Sequence, residues 1–130
     1  MASRSRIAVV EDNADNRLLV RAILQANYDL LEYESGAEAL AAIPAAKPDL
    51  ILLDISLPKM DGGQVLQKLR QDESLSAVPV IALTAHAMVG DREKYMQLGF
   101  DDYISKPITD VEAFRGTIER HLRRPQKPGS

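Results

Sequence analysis

Acidic residues follow two apolar stretches of the chain at the points where each stretch ends. Glu11 and Asp12 come directly after residues 7–10, and Asp54 comes directly after residues 50–53. Because the carboxyl ends of parallel strands meet at one edge of a sheet, we expect these three carboxylates to lie close together. At an effective dielectric of roughly 20, each close pair costs up to about 4 kcal/mol. Protonation of one acid or a bound cation would relieve that repulsion, and Mg²⁺ is the abundant cation that prefers oxygen ligands.

A hydroxyl and an ammonium group follow two further stretches that we expect to be strands. Thr84 comes after residues 80–83, and Lys106 comes after residues 103–105. If both stretches are strands of the same parallel sheet, both side chains lie at the edge that holds the acids. A cation, an ammonium group and a hydroxyl around one spare carboxylate would form a receptor for a phosphoryl group.

The elements that must position these side chains alternate along the chain. Predicted strands comprise residues 6–10, 29–33, 50–53, 80–83 and 103–105, and predicted helices comprise residues 13–26, 35–42, 62–69, 91–98 and 110–122. Five strands with intervening helices predict an α/β fold, a doubly wound five-stranded parallel sheet with five helices on its two faces. The second strand delivers no side chain to the site, so we expect it at the edge of the sheet. Pro44 and Pro48 are expected to bound the loop after the second helix.

Length and composition exclude several classes of protein. A chain of 130 residues suits one domain, and the absence of Cys excludes disulfides and thiolate metal sites. No apolar stretch approaches the roughly 20 residues of a membrane span, and the N-terminus lacks the apolar core of a signal peptide. We therefore expect a cytoplasmic protein. A net charge of −3 argues against direct nucleic-acid binding.

The histidines and the basic residues near the C-terminus are assigned structural roles. His86 is predicted to be an exposed loop residue, and His121 is predicted to contact backbone carbonyls in the final turns of the last helix. The basic cluster of Arg120, Arg123, Arg124 and Lys127 is predicted to complement the dipole at that helix end.

Taken together, these residues resemble the receiver domain of two-component response regulators. The matching stretches are Val-Val-Glu-Asp-Asn at 9–13, Leu-Leu-Asp-Ile-Ser-Leu-Pro-Lys-Met-Asp-Gly at 52–62, Ala-Leu-Thr-Ala at 82–85 and Tyr-Ile-Ser-Lys-Pro at 103–107. Each stretch alone is a weak signal, but four in this order, each after a strand, are specific. The resemblance implies a flavodoxin-like receiver domain over residues 6–123, with a short lead at 1–5 and a flexible tail at 124–130.

The resemblance also implies a chemistry for the acidic residues. Asp54 would accept a phosphoryl group from the phosphohistidine of a sensor histidine kinase or phosphotransfer protein. Asp12 and Asp54 would bind Mg²⁺ directly, together with the backbone carbonyl of Ser56, and Glu11 would orient water at the ion. The protein would not be an enzyme beyond its own phosphorylation and slow dephosphorylation.

The remaining motif residues would bind the phosphoryl group and report its presence. Lys106 would pair with one phosphoryl oxygen and Thr84 would hydrogen-bond another, while Tyr103 matches the switch aromatic of the family. As Thr84 moves toward the phosphoryl group, Tyr103 would turn inward and reshape the face formed by the fourth helix, the fifth strand and the fifth helix. That face would bind a downstream protein target or form a homodimer.

Other functions remain open at this stage. An aspartate-nucleophile phosphatase needs a second acid two residues after the nucleophile, where this chain has Ser56. A flavin carrier needs a phosphate loop after the first strand, where Glu11 and Asp12 would repel phosphate. A third alternative is a receiver-like module that binds partners without phosphorylation, and the complete set of acidic residues argues against it. Residues 85–88 resemble a loop found both in stand-alone receivers and in receivers of hybrid kinases, so either origin is consistent with the chain.

Overall fold

The computed structural model describes residues 4–57, 59–60, 62–85 and 91–123, with the side chains of residues 91 and 92 left undescribed. The strands are β1 Arg6–Val10, β2 Asp29–Tyr33, β3 Leu50–Asp54, β4 Val80–Thr84 and β5 Asp102–Ser105; the α-helices are α1 Ala14–Leu24, α2 Gly36–Ala46, α3 Gly62–Arg70, α4 Asp91–Leu98 and α5 Val111–Arg123. A single 3-10 turn, Glu73–Leu75, lies between α3 and β4. Asp54 and Thr84 are thus the last residues of their strands rather than the first residues beyond them.

The five strands form one parallel sheet in the order β2-β1-β3-β4-β5. The expected position of β2 at an edge is confirmed, and β5 forms the opposite edge. The chain moves outward in one direction from β1 to β2 and in the other direction from β3 to β5. The order therefore reverses between β1 and β3, and the crevice beyond the carboxyl ends of two such strands is where open α/β sheets bind ligands.

Helices cover both faces of the sheet and divide the core into two clusters. On one face α1 and α5 pack against alternate residues of the central strands, through side chains such as Ile23 and Phe114. On the other face α2, α3 and α4 contribute Ile43, Leu66 and Tyr95. Every residue of β3 and β4 is buried, because both faces of these strands are covered. Among the residues that the structure describes, no helix is long and apolar enough to span a membrane.

Three helices begin directly after a residue whose side chain caps the first turn. Asn13 accepts a hydrogen bond from the amide of Asn16, and Ser35 accepts one from the amide of Glu38 at 3.1 Å. Asp110 in the same way accepts from the amide of Ala113. Side chains of this kind satisfy backbone donors that have no partner within the helix, so they fix where each helix begins.

The predicted end of the second helix was wrong. Pro44 lies inside α2, which continues to Ala46 rather than ending at Ala42. The buried side chain of Ile43 anchors this last turn in the core, and the amide of Lys47 closes it by donating to the carbonyl of Ile43. Proline removes one backbone donor, and tertiary packing here outweighs that loss.

The prediction for His121 was also wrong, because its ring is buried against a strand. Nε2 of His121 lies 2.9 Å from Oδ2 of Asp102, at the start of β5. Arg120 donates to the same oxygen at 2.6 Å, and the amide of Tyr103 donates to Oδ1 at 2.8 Å. We refer to Asp102, Arg120 and His121 as the Asp102 cluster. It joins the end of α5 to the edge strand of the sheet, so Arg120 does more than complement the helix dipole.

Candidate functional site

The carboxyl ends of β1 and β3 bring three acids together. The register pairs Val10 with Leu53, so the residues that follow them are neighbours across the two strands. One carboxylate oxygen from each of Glu11, Asp12 and Asp54 lies within 4.8 Å of the other two. Glu11 and Asp54 are only 1% and 2% exposed, whereas Asp12 is exposed. The site therefore has two acids at its base and one at its mouth.

Lys106 supplies the positive charge of this site. Its Nζ lies 3.0 Å from Oε1 of Glu11 and 3.2 Å from Oδ2 of Asp54. Its amide donates to the carbonyl of Thr84, which fixes the backbone just after β5, and the Lys106–Pro107 peptide bond is cis. Among these four side chains, one ammonium group faces three carboxylates. The arrangement is therefore short of positive charge.

The raised pKa values of Glu11 and Lys106 are consistent with this shortage of positive charge. Burial raises the pKa of Glu11 to about 7, and the nearby Asp54 adds to that effect, while Lys106 and the amide of Asn13 oppose it. Burial alone would lower the pKa of Lys106, but Glu11 and Asp54 more than offset it and raise that pKa. A pKa of this kind on a carboxyl group means that its charged form lacks sufficient stabilisation. A divalent cation would provide it.

Two residues of α1 hold Glu11 in place, and the sequence did not predict them. Nδ2 of Asn16 donates to Oε1 of Glu11 at 3.2 Å, and Arg17 donates to its backbone carbonyl at 2.7 Å. Arg17 also pairs with Glu34 just after β2. Asn16 lies in the first turn of a helix that starts directly after the acids, and that position was a usable signal.

The turn after β3 lies close against Asp54. The amide of Ser56 donates to Oδ1 of Asp54 at 3.0 Å and thereby orients the carboxylate. A Cβ atom on Gly62 would lie 2.7 Å from the backbone oxygen of Asp54 and 2.8 Å from Cα of Ile55. Glycine at this position lets the start of α3 approach β3. Pro58 and Asp61 of the same motif lie outside the described residues.

Thr84 and Tyr103 are connected through a residue that the sequence did not single out. Thr84 is 1% exposed, and its Oγ1 lies 2.8 Å from the hydroxyl oxygen of Tyr95 on α4. The ring of Tyr95 packs against the ring of the half-buried Tyr103, with centroids 5.9 Å apart. The strand ends thus place Thr84 beside the acids, and Tyr95 lies between Thr84 and Tyr103. His86 lies outside the described residues.

Comparison with known protein families agrees with this geometry. A family model described as the response regulator receiver domain matches residues 7–118. The chain belongs to this family, and it takes part in two-component signalling with kinases and downstream proteins as partners. It is similar to the polar-differentiation response regulator DivK of Brucella ovis, with 45% identity over 117 residues that cover 89% of this chain and 94% of that protein. The DivK of Brucella anthropi is 44% identical over the same coverage.

Solved structures show the same five-stranded fold. The receiver domain of a sensor histidine kinase from Pseudomonas aeruginosa, solved with a magnesium ion coordinated in its active-site cleft, aligns with a TM-score of 0.83. It is 33% identical, and the alignment covers 92% of this chain and 98% of that one. The BeF3-activated N-terminal receiver domain of RstA from Klebsiella pneumoniae aligns with a TM-score of 0.82 at 30% identity, covering 92% and 100% of the two chains. The predicted receiver fold is therefore confirmed.

Proposed function

We propose that Asp54 accepts a phosphoryl group from the phosphohistidine of a sensor histidine kinase or phosphotransfer protein and stores it as a signal. The observation that carries this proposal is the charge imbalance at the edge of the sheet, where three carboxylates converge and the ammonium group of Lys106 contacts two of them, Glu11 and Asp54. Asp54 is a buried acid that could attack phosphorus as a nucleophile. The ammonium group of Lys106, 3.2 Å away, could then offset the negative charge that the phosphoryl group adds.

The donor set fits Mg²⁺. The three carboxylates converge and are hard oxygen ligands, and burial with poor charge balance raises the pKa of Glu11. Asp12 and Asp54 would hold the ion together with the backbone carbonyl of Ser56, while Glu11 would orient water beside it. When bound, Mg²⁺ would neutralise the carboxylates and the oxygens of the incoming phosphoryl group.

The protein's own residues then carry the transfer. A carboxylate oxygen of Asp54 attacks phosphorus, the P–N bond of the phosphohistidine breaks, and the departing imidazole nitrogen takes up a proton. Lys106 pairs with one phosphoryl oxygen and Thr84 donates a hydrogen bond to another. The amide of Ser56, which already donates to Asp54, holds the carboxylate in a fixed orientation for attack.

Two surfaces suit the two kinds of partner. Leu18 and Leu19 of α1 are 57% and 38% exposed, and Leu19 lines a small hollow together with Glu11 and Lys106. An apolar rim beside the acceptor would dock the phosphodonor, which has to approach Asp54 from solvent. A second groove, of about 240 Å³, lies between the end of β5 and α5 and is lined in part by Tyr103. We assign the downstream target or a second copy to this α4-β5-α5 face, and we place the protein in the cytoplasm.

The test uses acetyl phosphate as a small phosphodonor. With Mg²⁺, the protein should gain the mass of one phosphoryl group, and the Asp54→Asn variant should not. The matched control is Asp102→Asn, which makes the same change at a buried acid away from the site and should still be phosphorylated. Removal of Mg²⁺ by chelation should abolish the gain.

One alternative keeps the fold and dispenses with phosphorylation. If the wild-type protein stays unmodified under these conditions and still binds a partner protein, a phosphorylation-independent interaction module replaces our proposal. Catalytic turnover of an external phosphoester would instead support a phosphatase and would contradict the proposal that the protein is not an enzyme beyond its own phosphorylation.

A further inference from the structure

The hydroxyl group of Thr84 is engaged before any phosphoryl group is present. Its Oγ1 lies 2.8 Å from the hydroxyl oxygen of Tyr95, and both side chains are buried, at 1% and 4% exposure. A hydrogen bond between two buried hydroxyl groups is stronger than the same bond in water, because water does not compete for either partner. To reach a phosphoryl group on Asp54, the hydroxyl of Thr84 has to leave this bond or share it.

The ring of Tyr95 is fixed independently of its hydroxyl group. It packs edge-on against Phe100, with centroids 6.4 Å apart, and in a tilted arrangement against Tyr103 at 5.9 Å. These aromatic contacts hold the hydroxyl in one place, so it offers Thr84 a preformed partner on α4. Tyr95 also belongs to the core cluster that contains residues of β3 and β4, and this packing links α4 to the strands that carry the site.

We propose that Tyr95 is a positioning residue that holds Thr84 in the unphosphorylated arrangement, so that its hydroxyl competes with the phosphoryl group for Thr84. This inference rests on the proposed phosphorylation of Asp54 and adds a residue to it. On phosphorylation, Thr84 exchanges a neutral hydrogen bond for a charge-assisted one. The Tyr95 side chain, no longer bonded to Thr84 and in contact with Tyr103, then transmits the change to α4 and to the α4-β5-α5 face.

The Tyr95→Phe substitution should affect the two states of the protein differently, because by our proposal only the unphosphorylated state contains the hydrogen bond between Tyr95 and Thr84. Tyr95→Phe keeps the ring with its two aromatic contacts and removes only the hydroxyl group. The unphosphorylated state loses the hydrogen bond between Tyr95 and Thr84, which by our proposal is already broken in the phosphorylated state. A net hydrogen bond of this kind corresponds to roughly a two- to tenfold change in an equilibrium constant. Tyr95→Phe should therefore favour the phosphorylated arrangement by about that factor.

The experiment measures binding of beryllofluoride, a stand-in for the phosphoryl group, to the full chain in saturating Mg²⁺ by calorimetry. Tyr95→Phe should bind beryllofluoride roughly two- to tenfold more tightly than wild type. The matched control is Tyr28→Phe, which removes a tyrosine hydroxyl from the cluster on the opposite face of the sheet and should leave the affinity unchanged. The affinity for Mg²⁺ alone should be the same in all three proteins, because the carboxylates that would bind the ion are untouched.

A second measurement asks whether Tyr95 acts through Thr84. In a Thr84→Val background, which lacks the hydroxyl that Tyr95 contacts, Tyr95→Phe should no longer tighten beryllofluoride binding. An equal gain in that background, or an unchanged or weaker affinity of Tyr95→Phe relative to wild type, overturns the inference while leaving the proposed function intact. Wild-type protein that binds no beryllofluoride contradicts the proposed function, and the role of Tyr95 falls with it.

Discussion

The two ends of the sheet each bury an aspartate, and the two aspartates have opposite surroundings. Asp54, at the carboxyl end of β3, shares Lys106 with Glu11 and lies close to a third acid, Asp12. Asp102, at the start of β5, is contacted by Arg120, His121 and the amide of Tyr103. Burial alone would not distinguish them, because Asp54 is 2% exposed and Asp102 is 6% exposed. The balance of charge around each acid does.

The pKa values separate the two ends in the same way. Burial works to raise the pKa of Asp102, but the hydrogen bonds from His121 and the Tyr103 amide outweigh it and lower that pKa. At the other end, burial and Asp54 raise the pKa of Glu11 to about 7. We interpret Asp102, whose negative charge is compensated by neighbouring groups of the protein, as a structural acid. We interpret the acids around Asp54, whose charge is only partly compensated, as a site for a positively charged ligand.

The largest difference in stability should come from replacing each of the two buried aspartates, Asp54 and Asp102, with asparagine. Asp102→Asn should lower the free energy of unfolding by about 2–3 kcal/mol, because the buried hydrogen bonds to a charged acceptor are lost. Asp54→Asn should leave that free energy equal or higher in metal-free buffer, because it removes one of three crowded negative charges. Urea unfolding of both variants at pH 7.5 or so, with a chelator present, measures the difference.

Saturating Mg²⁺ provides the control for this pair of variants. The ion should stabilise wild type and Asp102→Asn alike, and it should stabilise Asp54→Asn less, because that variant has lost a ligand. Destabilisation of equal size at both ends in metal-free buffer would show that Asp54, like Asp102, is a structural acid, and our distinction between the two ends would be wrong.

A smaller contrast is expected in the pH dependence of stability. The folded-state pKa of Glu11 is raised from 4.5 to about 7, so the folded protein binds more protons than the unfolded chain between these values. Metal-free wild type should therefore lose stability as the pH rises through this range, and Glu11→Gln should not. Asp102 behaves oppositely, since its lowered pKa gives stability above its ordinary value that is lost only as the pH falls below it.

Unfolding curves collected from about pH 4 to pH 8 would separate the two acids. The gap between Glu11→Gln and wild type should open as the pH rises, whereas the gap between Asp102→Asn and wild type should stay constant there and narrow only in more acidic solution. A Glu11→Gln curve parallel to that of wild type throughout would contradict the raised pKa of Glu11.

The same contrast explains which contacts the sequence could predict. Lys106 and Glu11 are 95 residues apart, yet their contact follows from the sequence because each residue comes directly after a predicted strand and the carboxyl ends of parallel strands meet at one edge. Asp102 and His121 are only 19 residues apart, and their contact was missed. It depends on how the end of α5 sits on the edge strand, which no local pattern encodes. Where a helix end packs is decided by tertiary contacts rather than by periodicity.

Tyr95 and Pro44 were missed for a related reason. Tyr95 is one buried ring on a helix whose other described side chains are largely exposed, so α4 has no strong apolar stripe to mark it. Pro44 is a strong local signal for a helix end, but the helix continues past it to Ala46, because the neighbouring Ile43 is buried in the core. In both cases the deciding factor is a packing partner distant in sequence. The strands β1, β3 and β4 were found because their burial on both faces leaves continuous apolar runs.

The smallest expected change in stability concerns which residue of the Asp102 cluster compensates the negative charge of Asp102. His121 is 6% exposed and Arg120 is 64% exposed, although both contact the same carboxylate oxygen. Because solvent and salt screen exposed ion pairs, Arg120→Gln should lower the free energy of unfolding by about 0.2–1 kcal/mol, and the loss should shrink in high salt. Arg123→Gln, which removes the same charge from the same end of α5 without touching Asp102, corrects for the interaction with the helix dipole. If Arg120→Gln after this correction matches the loss in Asp102→Asn, then the exposed arginine rather than the buried histidine balances Asp102, and the two ends of the sheet would both depend on a single cation.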